Sequence, residues 1–410
     1  MGTDTPRQPV VCGSVSITIA DMFKRVLIAL FLFLLFIACS TLFVLGLGIY
    51  ASYCFDRDER RDAALAQSAI HTSPAATHYT VVDLKTLGGS YDYHGGGVND
   101  VGDVVGSSED SKEQLHAFFS SSGKMTPLPS NRCDSGASAI NNSGQIVGSL
   151  FAPGRHKAVI WANSKPVELG ILPGFQQSEA TAINSRGDAT GRSFTASSTN
   201  WWMCPSQVFL WKQGKLSAID VPAGCTNSSA YGINDRDEIV GWAVEQDART
   251  QAYLWCNGAA IDLGTLKDGT VSRATAINNH GQIVGSSDTA PFFTPPWQAQ
   301  GRPQVSTFLW QNGTMFNLGS PPGGTYCQAR DINDNGVVVG RYSKYTLRDR
   351  RAFIWDSIHG MQDLNRLVDS SQWFLEDALA IDNRGQILVF ALPATRQTNK
   401  YRHLVLLTPS

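Results

Sequence analysis

AINNSGQIVG (139–148) and AINNHGQIVG (276–285) differ at one of ten positions although they lie more than a hundred residues apart. The same pattern returns as GVNDVGDVVG (97–106), AINSRGDATG (182–191), GINDRDEIVG (232–241), DINDNGVVVG (331–340) and AIDNRGQILV (380–389). The anchors of these copies are Asn99, Asn141, Asn184, Asn234, Asn278, Asn333 and Asp382, at steps of 42, 43, 50, 44, 55 and 49 residues. Steps of that size suit the blades of a β-propeller, each a four-stranded sheet. Within a copy, Asn at the start of a turn can hydrogen-bond backbone two residues on. The Gly three positions later supplies the positive φ of a tight hairpin.

Each signature is followed by an apolar strand: HAFFS (116–120), KAVIW (157–161), QVFLW (207–211), QAYLW (251–255), STFLW (306–310) and RAFIW (351–355). A Gly-bearing turn and a strand such as VELG (167–170) or AIDLG (260–264) complete the unit. One repeat therefore reads as four short strands, A to D, and the lack of a 3.6-residue apolar period makes the region all-β. The tryptophans that close strand C (Trp161, Trp211, Trp255, Trp310 and Trp355) read as wedges between neighbouring blades. The seventh repeat supplies A, B and C and then ends at Ser410, while Tyr79–Leu84 precedes the first A strand without a blade of its own. Its continuation VVDLKTLGG resembles the D-strand segment AIDLGTLKDG. The expectation is a seven-bladed β-propeller over 78–410 closed by the N-terminal strand, which leaves no open edge.

The His-Ala-Phe run at 116–118, the Phe-Leu-Trp strands, Leu-Gly-Thr-Leu at 263–266 and the Ile-Asn-x-x-Gly-Gln-Ile-Val-Gly signatures resemble the HAF-type extracellular repeat family. The first copy alone has the literal His; Lys157, Gln207, Gln251 and Arg351 stand there elsewhere. The resemblance implies an extracytoplasmic repeat protein and brings no catalytic residues to carry over.

Val26–Tyr53 holds 28 residues without a charge. As a helix it would exceed the ~30 Å of hydrocarbon a span needs, and it outruns the apolar core of a removable signal peptide. It is expected to be a retained transmembrane signal anchor after a cytoplasmic tail (1–25) and before a linker (54–77). The Ser/Thr/Asn-rich repeats then lie in the periplasm or outside the cell. The alternative is a lipoprotein anchored at Cys39 within Phe36–Cys39.

The chain carries 33 Lys and Arg against 35 Asp and Glu, so it lacks the basic excess of a nucleic-acid binder. With 42% hydrophobic residues it can bury a large core. The B–C and D–A connections are long and share one rim of the ring, where binding residues concentrate on a rigid scaffold. The residues expected there are Tyr91, Tyr93, Trp201, Trp202, Trp297, Arg302, Arg341, Tyr342 and Trp373, aromatics interleaved with Arg that suit a glycan or an envelope protein.

Catalytic patterns are weak. His94-Gly-Gly-Gly97 lacks a partnering G-x-S-x-G elbow, and Asp331–Gly336 copies half of a calcium loop but has Tyr342 where a Glu belongs. No cofactor or metal is called for. Of Cys133, Cys204, Cys225, Cys256 and Cys327, the pair Cys204 and Cys225 flanks one C–D hairpin and is the expected disulfide. The function that follows is a membrane-tethered, non-enzymatic binding module. A propeller hydrolase or lyase, with its site at the channel mouth on the long-loop face, is the alternative.

Overall fold

The computed structural model describes residues 78–94, 96–130, 134–152, 155–162, 165–195, 204–245, 249–267, 269–289, 305–321, 324–343, 349–369, 372–394 and 402–410. The tail, the apolar run 26–53, Cys39 and the linker lie outside these residues, as do Cys133, Trp201, Trp202, Trp297 and Arg302. Among the described residues, no helix is long and apolar enough to cross a membrane.

The chain is all-β and shows the repeating antiparallel sheets of a β-propeller. After β1 (Tyr79–Asp83), the first sheet is β2 (Gly88–His94), β3 (Val104–Asp110), β4 (Leu115–Ser121) and β5 (Lys124–Pro127). The second is β6 (Asp134–Ile140), β7 (Ile146–Ala152), β8 (Arg155–Ala162) and β9 (Lys165–Glu168). The third is β10 (Gln177–Ile183), β11 (Ala189–Phe194), β12 (Ser206–Lys212) and β13 (Lys215–Ala218). The fourth is β14 (Asn227–Ile233), β15 (Ile239–Val244), β16 (Thr250–Cys256) and β17 (Ala259–Asp262).

Two further sets follow. One is β18 (Ser272–Ile277), β19 (Ile283–Asp288), β20 (Val305–Gln311) and β21 (Thr314–Gly319). The other is β22 (Tyr326–Ile332), β23 (Val338–Ser343), β24 (Arg350–Asp356) and β25 (Gly360–Asp363). They are joined by a single parallel bridge between Val305 and Tyr326. The last sheet orders as β26 (Trp373–Ile381), β27 (Ile387–Pro393), β28 (His403–Pro409) and then β1, which pairs β28 antiparallel from Tyr79↔Pro409 to Asp83↔Val405.

The hydrophobic core lies between sheets. Trp161 packs with Val105 and Ala117 of the first sheet, Trp255 with Val208 of the third, and Trp310 with Val240 and Leu254 of the fourth. Trp211 and Trp355 are only partly buried at the equivalent junctions. Leu388, Leu404 and Leu406 of the last sheet share a cluster with Val104 and Phe118 of the first. Each such face removes apolar surface from water on both sheets, so a sheet that could not bury its faces alone is stabilised by its neighbours.

The signature explains itself in this frame. Its terminal Gly lies where strand B passes a carbonyl of strand A: a Cβ at Gly148 or Gly285 would sit 2.0 Å from the oxygen of Gly136 or Arg273. In the last repeat Val389 takes this place, and β26 carries a second register shift there, between Leu375 and Asp377. The turn glycine works as expected, with Gly144 at φ 75°, while Asp237 adopts φ 60° in the fourth repeat.

Candidate functional site at the channel axis

The anchors build one end of the site. Asn141 Oδ1 accepts the backbone N–H groups of Ser143 and Gln145 at 3.1 and 3.0 Å, which fixes its own turn. Its Nδ2 then donates to the carbonyl of Asn184, the anchor of the next repeat, at 3.0 Å. The same amide-to-carbonyl bond runs from Asn99 to Asn141, Asn184 to Asn234, Asn234 to Asn278, Asn278 to Asn333 and Asn333 to Asp382, at 2.9–3.2 Å. One residue further along, Asn383 donates its backbone N–H to Asp100 Oδ1 at 2.9 Å, linking the seventh repeat to the first. All seven anchors line one small cavity. Asp382 has no amide hydrogen to pass on, and its Oδ2 is buried without a partner. Burial, with Asp100 adding to it, pushes the Asp382 carboxyl up to about 6.

The other end is built from bulges. In the second to seventh sheets strand A skips one residue in its pairing with strand B, and the skipped residues are Ser138, Thr181, Tyr231, Thr275, Arg330 and Leu379. A bulge re-aims a side chain out of the ladder. These residues, each three positions before its anchor, line a single cavity of about 510 Å³ together with Gly96 from the first repeat. With Arg330 the cavity has five arginines, the others being Arg273, Arg341, Arg350 and Arg402. Arg350 opens β24 and Arg402 precedes β28, so this cavity lies toward the ends of the strands where the B–C and D–A connections run.

Asp377 is the acid of this cavity. Arg330 donates to it through Nε and Nη2 at 3.1 and 2.9 Å, and Arg341 Nη1 adds a third contact at 3.2 Å. Arg341 also donates to Gln328 Oε1 at 2.7 Å. Burial and then the neighbouring Arg330 push the Arg341 guanidinium down to about 10. Arg402 donates to Glu376 Oε2 at 3.0 Å, and Arg273 lies 5.4 Å over the Trp242 ring. Among the described residues no group of three or more His, Cys, Asp or Glu is placed to hold a metal. Asp331, the first residue of the half calcium loop, instead accepts backbone N–H groups from Ile332 and Ile381, both at 2.9 Å.

Of the residues expected on the rim, Arg341 reaches this cavity. Tyr342 lies inside β23 rather than in a loop, 1% exposed, where its hydroxyl donates to Asp363. Alternation along a strand sends Arg341 and Tyr342 to opposite faces. Trp373 opens β26 with its ring 5.4 Å from His403, and Tyr91 and Tyr93 fall within β2. The expected Cys204–Cys225 bridge is not formed: Cys225 is a free thiol packed against the core of the fourth sheet, and burial raises its pKa. The bulge position and Arg273, Arg330, Arg350 and Arg402 were not singled out from the sequence. The signal was present as the residue three before each anchor, small in four copies but Tyr231, Arg330 and Leu379 in three.

A family profile described as "Protein of unknown function (DUF3466)" matches residues 174–320, less than half of the chain. No curated protein matches. Among solved structures, a Mycobacterium tuberculosis puromycin-hydrolyzing peptidase is similar at 11% identity and a TM-score of 0.50, over 80% of this chain and 56% of that one. A streptogramin B lyase aligns at 12% identity and a TM-score of 0.47, over 82% of this chain and all of that one. The β-propeller domain of the Trilobed protease from Pyrococcus furiosus aligns at 14% and 0.46, over 65% of this chain and 82% of that one. At such identities the likeness concerns fold alone.

Proposed function

We propose that the chain is a seven-bladed β-propeller, closed by β1, that acts as a non-enzymatic binding module outside the cytosol. In this reading residues 26–53 hold it to a membrane with the N-terminus inside, or Cys39 does so as a lipidated residue. The repeats are then of the extracellular HAF type. Closure is supported by the pairing of β1 with β28 and by the Asn383–Asp100 bond. The observation that carries the binding reading is that the same position of each repeat, bulged in six of the seven, converges on a single polar cavity at the loop end of the channel. A cavity of about 510 Å³ is within the range of small-molecule sites.

The test is a binding screen of the full-length protein against a glycan array and envelope fractions, beside a hydrolase and lyase panel. Saturable binding lost in Tyr231→Ala and kept in Trp201→Ala and Trp297→Ala assigns recognition to the cavity. Loss in the tryptophan variants instead moves it to the rim. Turnover of any panel substrate supports the enzymatic alternative.

A further inference from the structure

We propose that the cavity binds a small anionic ligand, one that presents a carboxylate or phosphate group to its arginines. The inference rests on the binding-module reading and names the ligand class of that same cavity.

Charge is the argument. Five guanidiniums surround this space, and Asp377 is the carboxylate lining it with them. Asp377 is already shared by Arg330 and Arg341, and Glu376 is taken by Arg402. Arg273 and Arg350 have no carboxylate partner among the described residues. Both donate from a planar fork whose geometry matches a carboxylate or a phosphate. They come from different repeats, on β18 and β24, so an oxyanion held by both would bridge two repeats. Like charges gathered in a partly buried space repel, and at Arg341 burial and then Arg330 lower the pKa although Asp377 opposes them. An entering anion reverses it. The tunnel wall adds Ser138, Tyr231 and Ser286, hydroxyl-bearing side chains that can bond the body of the ligand.

Isothermal titration of the full-length protein in detergent, with sodium pyrophosphate, with trisodium citrate and with neutral maltotriose, tests this. The expected result is saturable binding of pyrophosphate, citrate or both, at one per chain, weakening as sodium chloride rises. In the double variant Arg273→Gln/Arg350→Gln the affinity drops at least tenfold, whereas Lys215→Gln on the outer strand β13 leaves it unchanged. Among the described residues neither arginine is in an ion pair, so replacing them breaks none there; Arg350→Gln alone serves if the double variant loses cooperative unfolding. Citrate and pyrophosphate distinguish carboxylate from phosphate recognition. Unchanged affinity in the folded variants, or no saturable binding of either anion, overturns the inference. Maltotriose binding without anion binding overturns it too but leaves the binding module intact. Release of orthophosphate from pyrophosphate overturns the non-enzymatic reading and leaves the anion site standing.

Discussion

The signature asparagine does three things with one side chain. Asn278 Oδ1 accepts two backbone N–H groups of its own turn at 3.0 Å each, and Nδ2 donates to Asn333 O at 3.0 Å. The first role was legible in the sequence, because Asn three residues before Gly is a turn pattern. The second was not, since nothing local says that the spare amide reaches the next repeat. Asn278→Ala removes these three bonds and the one from Nδ2 to Gln282 Oε1 at 2.7 Å, and leaves buried backbone groups unpaired, so it should lower unfolding free energy by about 2–3 kcal/mol in a urea titration. Gly285→Ala should do more harm than its one methyl suggests. Its Cβ would meet the Arg273 carbonyl at 2.0 Å, and backbone cannot yield as a side chain would. A Gly285→Ala protein that melts within a degree of the parent would show that the close approach is not a constraint. The rim residues were legible as types but not as places. Tyr342 looked like a loop residue because Arg341 and Tyr342 end an apolar run, yet strand pairing continues through Ser343 and turns the tyrosine inward.

At the scale of elements, the four-strand repeat was readable because period-2 strands and Gly turns are local, and most tryptophans closing strand C fell at buried sheet junctions. The bulge was not readable, since skipping a residue in one strand depends on where the partner strand passes. The N-terminal strand was inferred from a missing D strand, and its pairing with β28 matches that inference. β1 does more than cover an edge. Tyr79 is 2% exposed in a cluster shared by the sixth and last sheets, and its N–H donates to Leu367 O at 2.8 Å. Burial, reinforced by Asp356 and Asp382, pushes the Tyr79 hydroxyl up to about 12. Deleting Tyr79–Asp83 uncovers the length of β28 and takes Tyr79 and Val81 out of that cluster. The deletion protein should be insoluble or lack a cooperative thermal transition, and a soluble monomer with parental circular dichroism would refute the role given to β1.

Across the molecule, the two cavities differ in charge, with Asp382 and the post-anchor Asp100, Asp235 and Asp334 at one and arginines at the other. At the acidic end six amides hand a hydrogen to the next repeat and the seventh position, Asp382, cannot when ionised. Its buried Oδ2 stands where an amide nitrogen stands elsewhere. The groups that act on it are Asp100, which opposes its ionisation, and Arg384, which favours it. With the folded value raised from 3.8 to about 6, the native state holds this proton more tightly than the unfolded chain does. Its contribution to stability is therefore complete below about pH 4 and is lost as pH rises through about 6. Asp331, also raised to about 6 by burial, works in the same direction. Asp382→Asn restores the seventh amide and removes one of the two titrations. The variant should melt higher than the parent at pH 7, by the equivalent of about 1 kcal/mol for one net hydrogen bond, and its melting temperature should fall less between pH 4 and pH 7. Parallel pH profiles for the two proteins would mean that Asp382 keeps its charge in the native state and that the seam between the last and first repeats is held by the Asn383–Asp100 bond and the leucine cluster instead.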